Sequence, residues 1–152
     1  MVSSDGLYGY PQDYTKALEL WHRAGELGHI EAYCNIGYAY NNGLGVEIDK
    51  KKAKHYWELA AMRGDAKARY NLGAIGEEDE DNVDRSIKHY MIAVAGGNVD
   101  SLQRIKLLYT NGHVTKADYT KALQSYQAYL DEIKSKQRDK AAAADEDDYR
   151  YY

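Results

Sequence analysis

Asp13-Tyr14-Thr15-Lys16-Ala17-Leu18 recurs letter for letter as Asp118-Tyr119-Thr120-Lys121-Ala122-Leu123, so the chain is assembled from copies of one unit. The offset between the copies, 105 residues, is too long for one helix pair, and shorter periods must lie inside it. A shift of 36 carries Asp13 to Asp49, Ala17 to Ala53, Trp21 to Trp57, Gly28 to Gly64, Asn35 to Asn71 and Gly37 to Gly73. A shift of 34 then takes Ala53 to Ile87, His55 to His89 and Tyr56 to Tyr90. Loss of one residue near Gly96 reduces it to 33, taking Gly64 to Gly97 and Leu72 to Ile105. A period in this range means a stack of supersecondary units, each burying its apolar face against the next.

Each unit reads as two helices. In Asp49–Arg63 the small or apolar residues Ala53, Tyr56, Trp57, Ala60 and Ala61 follow the stripe of an amphipathic helix. Asp49 stands where an N-cap carboxylate accepts backbone N–H groups, and Gly64 where a left-handed cap ends the helix. Asp13 and Gly28 are expected in the same two roles one unit earlier, and Asp118 as the N-cap of the last helix. The partner helix spans about Glu31–Asn42, with Tyr33, Ile36, Gly37 and Tyr40 on one face. Gly37 and Gly73 fall inside helices, where Gly costs about 1 kcal/mol against Ala. Their recurrence predicts close approach of a neighbouring helix.

Composition narrows the function classes. With 44% hydrophobic residues, 16 Tyr and 2 Trp, the chain can bury a core at its length of 152 residues. A net charge of -4 is a poor match for nucleic acid, and no apolar run reaches the ~18 residues of a membrane span. Met1–Gln12 lacks the pattern of a signal peptide, and the one cysteine (Cys34) excludes an internal disulfide framework. An intracellular, cytoplasmic location is expected. The five His form no zinc-binding pair, and Glu77–Asp81 lacks the ligand spacing of a calcium loop. No phosphate loop or nucleophile elbow occurs. Neither cofactor nor metal is expected. Lys50-Lys51-Lys52-Lys54 and Lys134–Lys140 read as solvated faces.

The motif of a small residue, Asn-Ile/Leu-Gly, Tyr, Gly-x-Gly-Val-x-x-Asp, Lys-Ala-x-x-x-Trp, Ala and Gly resembles the Sel1-like repeat, a relative of the tetratricopeptide repeat. Here it reads Ala32, Asn35-Ile36-Gly37, Tyr40, Gly43-Leu44-Gly45-Val46-Glu47-Ile48-Asp49, Ala53, Trp57, Ala60-Ala61 and Gly64. The match covers about Gly9 to Leu130. It departs from the pattern at Glu77–Asn82, at His113-Val114-Thr115 and at Lys106, which replaces the helix-packing Gly. The resemblance implies an all-α, right-handed solenoid of about three and a half repeats, seven helices, with a long C-terminal capping helix. The repeat domain is placed at 1–144 and a disordered acidic, Tyr-rich tail at 145–152. Gly9–Asp13 aligns on Gly45–Asp49, so the chain begins inside the loop of a unit and reads as a piece of a longer protein. That leaves Leu18 and Trp21 on an uncapped face expected to support self-association.

Resemblance also implies the function: a non-catalytic scaffold or adaptor that holds a peptide or protein partner in its concave groove. By register, the groove positions are Glu31, Cys34, Tyr38, Asn41 and Asn42; Lys67, Tyr70, Ala74, Glu77 and Glu78; and Asp100, Gln103, Leu107, Thr110 and Asn111. Tyr38 and Tyr70 are the preferred anchors, because Tyr supplies a large contact area at low entropic cost. The Lys/Arg/Asn clamp that some relatives place on a C-terminal carboxylate is not reproduced, since only Lys67, Asn41 and Asn42 are candidates, and that ligand class is not expected. Two alternatives stand beside this reading. One is the substrate-recruiting repeat region of a larger enzyme such as a zinc-finger ubiquitin-ligase-type protein. The other is a small-molecule hydrolase, for which no catalytic constellation is visible.

Overall fold

The computed structural model describes residues 10–78 and 82–149. Among them the chain forms seven helices: α1 Tyr10–Glu26, α2 Ile30–Asn42, α3 Lys50–Met62, α4 Ala66–Glu77, α5 Val83–Ala95, α6 Val99–Thr110 and α7 Lys116–Tyr149. They stack as a solenoid in which each helix packs on the next in sequence, and α7 closes on both α5 and α6. Local chemistry sets the boundaries. Asp49 accepts from Lys52 N at 3.0 Å, Asp65 from Ala68 N at 2.9 Å and Asn98 from Ser101 N at 2.8 Å, each satisfying an orphan donor of the first turn. Gly28 and Gly64 turn the chain at φ +96° and +97°, in the left-handed region expected of them.

Two N-caps differ from expectation. Helix α1 begins at Tyr10, so Asp13 lies in its first turn; Pro11 is tolerated there because that N–H has no intrahelical partner. At the far end Thr115 Oγ1, and not Asp118, caps α7, accepting from Asp118 N at 3.1 Å.

The core runs along the solenoid as three successive clusters. Leu18, Ile36 and Ala39 fill the first; Cys34, Ala53, Trp57, Ala60, Ala68 and Leu72 the second; Tyr90, Val94, Ile105, Leu108, Val114 and Ala122 the third. The close approaches expected at Gly37 and Gly73 are both present. A Cβ on Gly37 would stand 2.5 Å from the indole of Trp57, and one on Gly73 2.5 Å from the ring of Tyr90.

That pairing corrects the repeat register. Trp57 and Tyr90 occupy one position, as do Ala53 and Ser86, Ala60 and Ala93, and Ala61 and Val94, all of them buried. The offset is therefore 33 throughout the second unit, and the missing residue belongs to the α4–α5 connection instead of Gly96. An offset of 34 across α5 would pair buried Trp57 with half-buried Met91 and turn the register of α5 by about 100° against that of α3. Tyr90 is thus the counterpart of Trp57, not Tyr56, and His55 and His89 do not share a position.

Both ends of the array also depart from the reading above. Leu18 is buried and Trp21 half-buried against α2, so the side chains expected on an uncapped face are already covered. Among the described residues of α1, Leu20 is the large apolar side chain left exposed. Helix α7 continues to Tyr149, five residues past the boundary at 144. No Gly or Pro follows Gly112, and Ala141–Ala144 are strong helix formers that carry the helix through the acidic run. Residues 150–152 of the expected tail, and Asp79–Asp81 of the acidic loop, lie outside the described residues.

Candidate groove on the row of short helices

Helices α2, α4 and α6 form one row of the solenoid, and the register brings equivalent positions into line along it. Glu31, Lys67 and Asp100 are all exposed at the first of these positions, and Asn42, Glu78 and Asn111 at the last. Tyr38, Ala74 and Leu107 share one position between them: Tyr38 is 53% exposed and Leu107 47%, flanking the small Ala74 as an apolar strip. Asn42 Nδ2 donates to Tyr38 O at 2.9 Å, closing the last turn of α2 beneath the ring.

Cys34, Tyr70 and Gln103 form another aligned set, but their side chains reach different depths. Gln103 is exposed and Tyr70 half-buried. Cys34 is 3% exposed, with Trp57 Nε1 donating to its carbonyl at 3.1 Å and Asn71 Nδ2 3.7 Å from its sulfur. Cys34 therefore offers nothing to a partner: the thiol is too short to emerge above the next unit, where Tyr at the same position is long enough. Burial, then neighbouring Asp65, pushes its pKa up to about 12. Asn41 is half-buried and tied to the next helix. Its Oδ1 and backbone carbonyl accept from Lys50 Nζ at 2.9 and 3.0 Å, which turns it toward the N-terminus of α3 and away from the strip.

Beside the strip, Tyr70, Ala74, Glu77, Glu78, Tyr90 and Arg104 line a cavity of about 330 Å³. Its wall is polar and ordered. Arg104 Nε lies 2.9 Å from both carboxylate oxygens of Glu77, its Nη2 closes a second bond to Oε2, and the Tyr90 hydroxyl also bonds the carboxylate. The Arg104 bonds hold the Glu77 carboxyl below its ordinary range despite partial burial. Burial and the Glu77 carboxylate both push the Tyr90 phenol upward, so it stays a hydrogen-bond donor at neutral pH. Sequence reasoning missed Arg104. Its register position holds Asn35 and Asn71 in the earlier units, and replacement of that Asn by Arg was the available signal.

Among the described residues no three His, Cys, Asp or Glu side chains are grouped to hold a metal ion, and no helix is long and apolar enough to cross a membrane.

The chain is similar to known proteins along most of its length. The Sel1 repeat model matches residues 2–29, 30–65 and 107–127. The ERAD-associated E3 ubiquitin-protein ligase component HRD3B of Arabidopsis thaliana is 37% identical over 78 residues, 49% of this chain and 13% of that protein. The DAP3-binding cell death enhancer 1 of Rattus norvegicus is 29% identical over 97 residues, 62% of this chain and 19% of that protein. This chain thus spans less than a fifth of either curated relative. The crystal structure of a Sel1 repeat protein from Oxalobacter formigenes superposes with a TM-score of 0.61 at 27% identity, over 80% of this chain and 50% of that one. The helix pairs, the glycines that admit Trp57 and Tyr90, and the matched repeats agree: this chain belongs to the Sel1 repeat family.

Proposed function

We propose that this chain is a protein-interaction scaffold without catalytic chemistry of its own, and that a peptide or protein segment docks along the row of α2, α4 and α6. The observation that carries the reading is the strip of Tyr38, Ala74 and Leu107, with two large apolar side chains about half exposed at one repeat position. A folded helix surface keeps such groups exposed at little cost, yet they release binding free energy when a partner covers them. Tyr70 and the Glu77–Arg104 pair then supply polar contacts beside the strip, and Glu31, Asn42, Lys67 and Gln103 form its rim. Repeats of this family generally serve as protein-interaction scaffolds, which supports the same assignment.

The test is a pull-down with the wild-type chain beside Tyr38→Ala/Leu107→Ala. Both side chains are about half exposed, so the variant keeps its helicity by circular dichroism. Loss of one partner from the folded variant is expected. Retention of every partner would remove the strip from the binding surface. A second reading, a substrate-recruiting segment of a larger enzyme assembly, is favoured by the relative named as an E3 ubiquitin-protein ligase component. It predicts that the captured partner brings ligase activity with it.

A further inference from the structure

A second surface opens on a different part of the molecule, between α3 and α5, with α4 as its floor. It is a furrow in two connected sections. One, of about 310 Å³, is lined by Lys50, Lys51 and Lys54 of α3, Arg85 and His89 of α5, and Leu72 and Ile75 of α4, with Glu78 at its edge. The next, of about 370 Å³, shares Lys54, Arg85 and His89 and adds Arg69, Lys88 and Ile92. The molecule as a whole carries a net charge of -4, so this concentration of cations runs against its average.

Among the described residues only two carboxylates, Glu58 and Glu78, stand in its wall against six cations, Lys50, Lys51, Lys54, Arg69, Arg85 and Lys88. Among the described residues, Lys54 meets Glu58 at 4.0 Å, and that is the furrow's one ion pair; Arg69, Arg85 and Lys88 meet no carboxylate. Arg69 is the most telling of them, because its Nε is buried with no hydrogen-bond partner among the described residues. Its Nη1 lies 3.3 Å from His89 Nδ1. Arg has no acceptor, so His89 Nδ1 accepts, and its Nε2 carries the proton as a further donor. Burial, then the charges of Arg69 and Arg85, holds the imidazole below its ordinary pKa, against the pull of Glu58 and with a further push from Lys54. The furrow is a positive field in which cationic donors outnumber the two carboxylates, Glu58 and Glu78.

We propose that this furrow is a second docking site, and that it takes a carboxylate-rich segment of a partner protein laid across Lys54, Arg69, Arg85 and Lys88. Guanidinium groups match planar carboxylates in bidentate geometry. Leu72, Ile75 and Ile92 give an aliphatic residue of such a segment somewhere to rest. The described residues that line the furrow include no Tyr or Trp ring on which a nucleic-acid base could stack, and His89 is its one aromatic side chain. Tyr38 and Leu107 do not line it, although Glu78 borders both this furrow and the cavity beside the strip.

Fluorescence polarisation with a labelled hexaglutamate peptide tests it. Saturable binding is expected, weakened about tenfold or more by Lys54→Glu/Arg85→Glu, as charge reversal at a desolvated contact requires. Raising salt to about 0.5 M, where the Debye length is about 4 Å, should also weaken it. The milder Arg85→Gln/Lys88→Gln should lose part of the affinity and guards against misfolding of the reversal variant. The strip variant Tyr38→Ala/Leu107→Ala should bind the peptide unchanged, which separates failure of this site from failure of the other. Three results would overturn the proposal: no saturable binding; equal loss in the control Lys116→Glu/Lys121→Glu on exposed α7; or tighter binding of a single-stranded oligonucleotide or of vesicles containing anionic lipid.

Discussion

Replacing Gly73 by Ala sets two effects of opposite sign against each other, and the packing decides which wins. In an isolated helix the change stabilises by about 1 kcal/mol, because Ala gives up less backbone entropy on folding. Here the new methyl would meet three atoms of the Tyr90 ring at 2.5, 2.8 and 2.9 Å. That ring cannot swing aside: it is 1% exposed, its hydroxyl bonds Glu77, and the Tyr70 ring lies 5.8 Å away. Overpacking a closed site costs about 1–3 kcal/mol, and three simultaneous clashes belong in the upper half of that range. The net expectation is a loss of about 1–2 kcal/mol. Equilibrium urea unfolding reads it, with the midpoint falling by about 0.5–1 M at an unchanged slope. Tyr90→Ala by itself should cost about 3–5 kcal/mol as a large aromatic truncation. In that background Gly73→Ala should change sign and recover about 1 kcal/mol, since only the propensity term survives. A raised midpoint for Gly73→Ala in the native background would refute the reasoning, for it would mean that α4 and α5 do not depend on the missing side chain to pack.

Two further outcomes follow from the titrating groups. Cys34, 3% exposed and with its pKa pushed up to about 12, should react with iodoacetamide at pH 8 far more slowly than in denaturant. Only about one such thiol in ten thousand would be ionised at that pH, and equal native and denatured rates would contradict its burial. Glu77 has a folded pKa below its unfolded value of about 4.3, so its pairing with Arg104 stabilises the fold above that pH and the contribution is lost as pH falls through the folded value. Arg104→Ala should lower stability at pH 7 by about 1 kcal/mol, an amount discounted because the guanidinium side chain is 39% exposed. It should also flatten the decline below pH 4.3 seen in the wild type. Parallel declines in both proteins would show that the pair contributes nothing.

Periodicity alone determines a good deal of this protein. A recurring face of a small residue followed by Asn-Ile/Leu-Gly, with Asp or Asn before several helices and Gly after several, gives local signals repeated often enough to state the helix pairs, the solenoid and the close approaches at Gly37 and Gly73. Those features follow from spacing because a helix presents every third or fourth residue to the same neighbour. The repeat period is legible only to within a residue, however, and one residue is about 100° of helix rotation. Burial in three dimensions was needed to pair Tyr90 with Trp57 and to move the deletion into the α4–α5 connection. The groove was legible as a set of register positions, but side-chain length and partners decided which positions reach it. Cys34 stops below the surface, Asn41 is drawn to Lys50, and Leu18 is covered by α2. Arg104 joins Glu77 across 27 residues of sequence, and the cationic furrow gathers side chains from α3, α4 and α5. Such juxtapositions depend on how successive units stack, a tertiary property that no single repeat encodes.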